Sequence, residues 1–549
     1  MVNVLVLLVL ALPVFLQAAE PVRAAHAMVV AEEASAADVG VEVLKSGGNA
    51  VDAAVAVGFA LAVTHPFAGN IGGGGFMLVR FADGRSTFID FREKAPKHSS
   101  RDMYLGPDGN PTGDSIDGWR SAGVPGTVRG FELAQLKYGR KKWPEVIAPA
   151  IDLASRGFTV SARASESMKA ARNMAADPQS RRIFLRDTSF LKQPELAATL
   201  RRISKNGARE FYEGQSARRL AAEMAKHHGL ITLEDLKDYQ AVERTPLTGR
   251  YRGYDVVTAP LPSSGGVGLL QMLGMLEGTG YEQSGAGSAA SVHYVTEVMR
   301  RFFADRSLYL GDPDFVKVPL ARLLDPEYIR ARRATIQLGR ASSSDEIHPG
   351  LPAGAESSET THYSILDSEG NAVSVTYTLN AAFGSGVTVP GLGFLLNDEM
   401  DDFASKPGSP NMFGLIQGER NAIAPGKRPL SAMVPTIVVK DGKPFLILGA
   451  PGGPRIITAV MQVLLNVIDF HMNVQDAVNA PRFHHQWKPD QLSMEAGFPP
   501  ETYARLKEMG HQVDSSPGLV LARVEAILAE GGIVLGAADS RWVGKAAGY

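Results

Sequence analysis

Cysteine is absent from this chain. Its absence excludes disulfides, thiolate metal sites, iron–sulfur clusters and a Cys nucleophile together. An excess of charge is missing too: 56 Lys and Arg stand against 58 Asp and Glu, a formal net charge of −2. Such a balance lacks the basic footprint of a nucleic-acid binder. No stretch reaches 18 uncharged apolar residues, so no membrane-spanning helix is expected. Phosphate-binding signatures are lacking as well. No Gly-Lys is followed by Ser or Thr, and no GxGxxG opens a helix after a strand, so the run Gly72 to Gly75 reads as a turn. There is no HExxH, and the adjacent pairs His227-His228 and His484-His485 point their rings apart rather than onto one metal face. Ser263-Ser264-Gly265-Gly266 lacks the GxSxG elbow and reads as a turn. Neither metal nor cofactor is expected, and the chemistry must come from oxygen, imidazole or amine groups.

What is present is a globular composition, 45% hydrophobic and 21% charged over 549 residues. That length permits three or four domains of about 150 residues, or one large one. Val4 to Leu12 is an apolar run too short to span a bilayer and followed by Ala18-Ala19, the pattern of a signal peptide over residues 1–18. The mature protein is therefore expected to be exported, periplasmic or secreted. Ala31 to Leu44 has helical spacing, and Asn49 stands as N-cap of a small-residue helix, Ala50 to Val63. Phe76 to Phe81 and Phe88 to Phe91 read as a hairpin, and 128–226 is mostly helical. A polar loop, Ser342 to Glu359, runs straight into a second hairpin: Thr360 to Leu366, a turn around Ser368-Glu369-Gly370-Asn371, then Ala372 to Leu379. Strands on both sides of long helical blocks predict a layered α/β protein.

The junction of loop and hairpin is chemically unusual. Cleavage of the Glu359–Thr360 bond would place a hydroxyl and a free α-amine on one residue. An α-amine, with an ordinary pKa of about 7.7–8.0, can serve as the base for that hydroxyl, whereas the amide of the intact chain cannot. A two-residue turn at Glu369-Gly370 sets Thr361 opposite Thr378 and Thr360 opposite Leu379; a loop one residue different sets Thr360 opposite Thr378. Either register brings Thr378 and Asn380 beside Thr360. Taken alone, the same hairpin also reads as an ordinary Thr-rich strand pair.

The string Thr360-Thr361-His362-Tyr363-Ser364, with Thr376-Tyr377-Thr378-Leu379-Asn380 after it, resembles the γ-glutamyltranspeptidases, or glutathione hydrolases. The resemblance extends over Gly47 to Ala54, Asn70 to Phe76, Asp90-Phe91-Arg92-Glu93, Pro262 to Gly266 and Asn397 to Phe403. It continues through Lys427 to Ser431, Pro451-Gly452-Gly453, Asn479 to Trp487 and Gly548-Tyr549. It implies an N-terminal nucleophile hydrolase with a four-layer α-β-β-α sandwich, cut into a large subunit (19–359) and a small one (360–549) that together make one folded heterodimer. It implies Thr360 as nucleophile, Thr378 as its hydrogen-bond partner, and the N–H groups of Gly452 and Gly453 as oxyanion hole. Arg92 and Ser431 would bind the α-carboxylate of a γ-glutamyl substrate such as glutathione, and Asp402, Asn380 and Glu399 its α-ammonium. Water or an amino-acid or peptide amine would then take the acyl group.

Three positions depart from the pattern. Ala432 follows Ser431 where many members have a second serine, a loss of one hydroxyl worth about 1 kcal/mol. The lid, Ser405 to Phe413, carries Phe413 where bacterial members often have Tyr, and Glu399 stands where many have Gln. Outside the resemblance, Arg92 between Asp90 and Glu93 reads as a surface ion pair, and Asp402 beside Asp401 as solvated charge. Two other functions fit the same scaffold. One is a relative acting on glutaryl-type β-lactam side chains or poly-γ-glutamate; a glutaryl group has no α-ammonium, so Asp402 argues against it. The other is a silent exported binding protein, against which the presence of Thr360, Gly452 and Gly453 speaks.

Overall fold

The computed structural model describes residues 19–350, 360–406, 412 and 418–549; the expected signal peptide lies outside the described residues. Two seven-stranded sheets dominate it. The sheet that matters for the site contains β1 (Met28–Ala31), β2 (Gly74–Arg80), β3 (Ser86–Asp90), β4 (Val242–Arg244), β5 (Thr361–Leu366), β6 (Ala372–Thr378) and β7 (Lys545–Gly548). Its spatial order is β7-β1-β5-β6-β2-β3-β4. The hairpin β5–β6 thus sits at the middle, wedged between strands made much earlier in the chain. The second sheet is built from residues 22–24, 247–251, 254–258, 436–440, 443–449, 525–530 and 533–537.

Side-chain alternation along the strands explains the layering. Met28, Val30, Phe76 and Leu78 point inward and join Ile437, Val438, Leu446 and Ile447 of the second sheet in a central core. Their neighbours Val29, Ala31, Met77 and Val79 point outward, into a separate core shared with α1 (Ala34–Lys45), α2 (Ala50–Thr64), α3 (Thr127–Tyr138) and α4 (Trp143–Arg156). On the far side α5 (Ser264–Leu276), α6 (Ala289–Tyr309) and α7 (Arg455–Ile468) cover the second sheet through Leu269, Met272, Phe302 and Leu464. The result is the four-layer α-β-β-α arrangement.

Every residue of α2 is buried, which explains its Ala/Gly/Val composition. Asn49 caps it as expected, accepting from the Val51 and Asp52 N–H groups, while Asp52 completes a capping box. The ring hydroxyls of the hairpin lie on this helix: Tyr363 donates to the Ala54 carbonyl at 2.8 Å and Tyr377 to the Gly58 carbonyl at 2.9 Å.

The hairpin register is the second of the two expected. Leu366 pairs with Ala372 and Thr361 with Tyr377, so Thr360 faces Thr378. The cause is Asp367. Its carboxylate accepts from the Glu369 and Asn371 N–H groups and from the Ala50 N–H, which widens the turn by one residue and lets Gly370 close it at φ 92°. Other boundaries shift as well: the helix expected from Ala31 begins at Ala34, and the strand expected over Phe88–Phe91 runs Ser86–Asp90. The expected strand Phe76–Phe81 begins two residues earlier, at Gly74, and Ser263 to Gly266 is a helix start rather than a turn. There the Ser263 hydroxyl accepts from the Gly265 N–H and caps α5.

Candidate active site

Thr360 stands immediately before β5, 2% exposed, and its Oγ1 has no hydrogen-bond partner among the described residues. It lines a cavity of about 380 Å³. A buried hydroxyl without a partner is costly in a structural role and is available for one in chemistry. The surrounding backbone is held from both sides. The Asn380 N–H donates to Thr378 Oγ1 at 2.8 Å, and Asn70 Nδ2 donates to the Thr378 carbonyl at 2.7 Å. The next residue, Thr361, donates its hydroxyl to Glu32 at 2.9 Å; Glu32 also accepts from Arg523 Nε at 2.8 Å and lies 3.1 Å from His65 Nε2. Burial pushes the Glu32 carboxyl up, but Arg523 and His65 more than offset this and hold it below its ordinary range.

Gly452 and Gly453 follow the strand 443–449 and lead into α7. Both adopt positive φ, 136° and 62°, and a Cβ on Gly452 would meet the Leu521 carbonyl at 2.9 Å. Their N–H groups donate to no acceptor among the described residues. Two unspent donors at a helix N-terminus form a setting for negative charge.

Arg92, Glu399 and Asp402 make a compartment closed to solvent, each 0% exposed. The Arg92 guanidinium donates one arm to Glu399 and the other to Asp402, its Nε to the Pro429 carbonyl at 3.2 Å, and lies 3.6 Å from Glu93. The reading of Arg92 as a surface ion pair and of Asp402 as solvated charge is thereby corrected; β3 and its flanking turn carry Arg92 inward. One guanidinium faces three carboxyls. Burial therefore pushes Glu93 up to about 7 and Glu399 up to about 8, and Asp402 well above the carboxylate range. Burial also works against the Arg92 charge, but Glu399 and Asp402 hold its pKa above the ordinary value. Asn380, at φ 77°, ties this compartment to the nucleophile: its Nδ2 donates to the Asp398 carbonyl at 3.0 Å, one residue before the short helix Glu399–Asp402. Ser431 is fully buried; its hydroxyl accepts from the Met433 N–H at 3.1 Å and its carbonyl from the Ser264 hydroxyl at 2.7 Å. Ala432 packs into the central apolar core. Asn380 and Thr360 line the cavity, whereas Arg92, Glu399, Asp402 and Ser431 do not. Glu359 and Phe413 lie outside the described residues.

Comparison with known proteins decides the family. The γ-glutamyltranspeptidase family profile matches residues 36–549. The chain belongs to the γ-glutamyltranspeptidase family. It is 49% identical over 539 residues to the glutathione hydrolase proenzyme of Escherichia coli (strain K12), covering 96% of this chain and 93% of that one. It is 52% identical over 502 residues to the glutathione hydrolase proenzyme of Pseudomonas sp. (strain A14), covering 90% and 87%. Among solved structures, a cephalosporin acylase from Bacillus halodurans superposes with a TM-score of 0.87 at 27% identity over 99% of both chains.

In this γ-glutamyltranspeptidase the sequence reading missed several buried polar residues. Arg306 on α6 is 1% exposed and donates Nε to the Ser264 hydroxyl at 2.9 Å, which in turn holds the Ser431 carbonyl. Burial brings its guanidinium down to about 9, with Asp402 opposing. Its signal was weak, because Arg300, Arg301, Asp305 and Arg306 on one helix look like a solvated face, yet all four are buried. His293, Glu297 and His511 also come together, with ligating atoms within 4.8 Å of one another. They form a closed polar network: Glu297 is bound by Arg300, Arg301 and Ser342, and His293 by His511 and the Gln337 carbonyl.

Proposed function

We propose that hydrolysis of the Glu359–Thr360 bond makes Thr360 the N-terminal nucleophile of a γ-glutamyl hydrolase and transferase, with glutathione, the substrate named for its relatives, as donor. The observation that carries this reading is the Thr360 Oγ1, buried just before a central strand, lining a cavity and without a hydrogen-bond partner among the described residues. Once freed, the α-amine takes the proton of Oγ1 as the oxygen attacks the γ-carbonyl. Thr378, opposite Thr360 in the hairpin, orients that hydroxyl or amine. The Gly452 and Gly453 N–H groups receive the oxyanion; one such donor typically lowers the barrier by about 3–4 kcal/mol.

Arg92 takes the substrate α-carboxylate in a fork, a geometry Lys does not reproduce, and Ser431 adds a hydroxyl. Asp402, helped by Asn380 and Glu399, takes the α-ammonium. Arg92 bridges these two acids; substrate would replace both halves of that pairing with its own carboxylate and ammonium. A glutaryl substrate offers no ammonium and would leave Asp402 and Glu399 buried without it. The apolar run Val4 to Leu12 supports export, and no helix among the described residues is long and apolar enough to cross a membrane.

Intact-mass spectrometry with N-terminal sequencing tests the reading. The expected result is a fragment spanning 360–549 that begins Thr360-Thr361-His362, and a Thr360→Ala variant that stays uncut and releases nothing from a γ-glutamyl anilide. An uncut but active Thr360→Ala enzyme would overturn the assignment.

A further inference from the structure

Ser431, the hydroxyl assigned to the substrate α-carboxylate, lies on a stretch of backbone that belongs to neither large sheet, and the start of α5 holds it in place. The Ser431 N–H donates to the Pro262 carbonyl at 2.8 Å. In return the Ser431 carbonyl accepts from both the N–H and the hydroxyl of Ser264, each at 2.7 Å. Ser263 gives its hydroxyl to the Met433 carbonyl, and a Cβ on Gly265 would meet that same carbonyl at 2.7 Å, so the two stretches pack backbone against backbone. Arg306 reaches this junction from a third element. It is buried on α6, and its Nε donates to the Ser264 hydroxyl at 2.9 Å. A guanidinium donates and never accepts. The Ser264 oxygen therefore accepts from Arg306, and its single proton is turned to the Ser431 carbonyl. Ala432 stands where many relatives have a second serine, so the aim of the Ser431 hydroxyl matters more in this chain.

We infer that Arg306 is a positioning residue of the γ-glutamyl site: through Ser264 it fixes the backbone at Ser431, and so sets the preference of the enzyme for donors that carry an α-carboxylate. The inference rests on the proposed role of Ser431 and deepens it. Two features set this relay apart from packing. Arg306 is 1% exposed, and a guanidinium taken out of water is held by directed bonds. The bond to Ser264 is made by Nε, a donor that lysine does not offer at that place along the side chain, so charge alone does not replace it. The relay also distinguishes the two ends of the substrate. It runs to Ser431 on the carboxylate side, whereas Asn380 holds the ammonium side through the Asp398 carbonyl. Arg306 acts on Asp402 by its charge alone. Arg306→Lys keeps that charge and loses the Nε bond, which separates the two effects.

The test compares two donors on the mature enzyme. One is γ-glutamyl-p-nitroanilide; the other is 4-aminobutyryl-p-nitroanilide, which has the same chain and amine but no α-carboxylate. The parent enzyme is expected to favour the first in kcat/KM. Arg306→Lys should raise KM for γ-glutamyl-p-nitroanilide about tenfold, the scale of a hydrogen bond to a charged group, with kcat changed by less than about twofold. For the 4-aminobutyryl donor kcat/KM should stay within about twofold. In a Ser431→Ala background the same substitution should add less than about twofold, because the hydroxyl it aims is gone. Ser264→Ala keeps the backbone N–H bond and removes the relay. It should reproduce the selective loss if Arg306→Lys does not mature, and Ser264→Thr, with the hydroxyl returned, should recover it. Equal losses on both donors, or full additivity with Ser431→Ala, would overturn the inference and make Arg306 a support of the fold alone. A parent enzyme indifferent to the α-carboxylate would instead overturn the carboxylate site beneath it.

Discussion

Arg92 divides its guanidinium between Glu399 and Asp402 in a compartment closed to water, so its planar fork matters as much as its charge. Arg92→Lys keeps the charge and loses one of two directed bonds to the substrate carboxylate. Steady-state kinetics should show KM for the γ-glutamyl donor rising about tenfold to a hundredfold, the range of one charged hydrogen bond. An unchanged KM would place the carboxylate site elsewhere. Glu399 makes a pH prediction. Burial holds it up to about 8, against an ordinary value of 4.5. The native state therefore keeps a proton that the unfolded chain has lost, and stability falls as pH rises from about 4.5 through about 8. Glu399→Gln removes that titration. Urea midpoints at about pH 6 and about pH 9 should differ less in the variant than in the parent; an equal drop would mean that another group carries the proton. The sequence could name Arg92, Glu399 and Asp402 because each lies in a recognisable string, but it could not show that they pair with one another. That pairing depends on 0% exposure, which composition near Asp90 and Asp401 argues against.

Helix α2 shows what an element needs in order to support a catalytic hairpin. Its small residues let Tyr363 and Tyr377 reach its backbone carbonyls. A Cβ on Gly58 would collide with the Phe131 ring and come 2.8 Å from the Tyr363 hydroxyl. Gly58→Ala should therefore destabilise the protein by about 1–3 kcal/mol despite the better helix propensity of Ala. Urea denaturation measures this, and a stabilised variant would show that the helix can shift away from the hairpin. Local signals were legible here: the Asn49 cap, the small-residue helix and both hairpins stand in the sequence. Register was not, because it turns on one side chain. Asp367 takes N–H groups from its own loop and from Ala50, and nothing in the string Asp367-Ser368-Glu369-Gly370 shows that the start of α2 will be beside it. The buried charges of α6 escaped for a similar reason, since part of their bonding goes to residues far along the chain: Arg300 to Ser344, Arg301 to Thr335 and Arg306 to Ser264.

At the scale of the whole molecule, the two sides of the Glu359–Thr360 bond are interleaved. β5, β6 and β7 come from the C-terminal side, and β5–β6 lies between β1 and β2 from the other. Cutting the bond leaves those ladders intact. Both fragments should elute together on size exclusion and part only in denaturant; separation under native conditions would contradict the strand order. The layering itself could be anticipated from alternating helical blocks and strands, whereas the insertion of a late hairpin between early strands could not, because pairing over such a distance has no local signal. That insertion also governs timing during synthesis. A nascent chain that has not reached Thr360 can place β1 and β2 only with a gap two strands wide, their facing N–H and carbonyl groups unpaired. The sheet closes when the late hairpin arrives, and Thr360 reaches its position in the same event. On the proposed mechanism, the bond cannot be cut before the hairpin has been made and seated between β1 and β2, so activation waits on that folding step without any external clock.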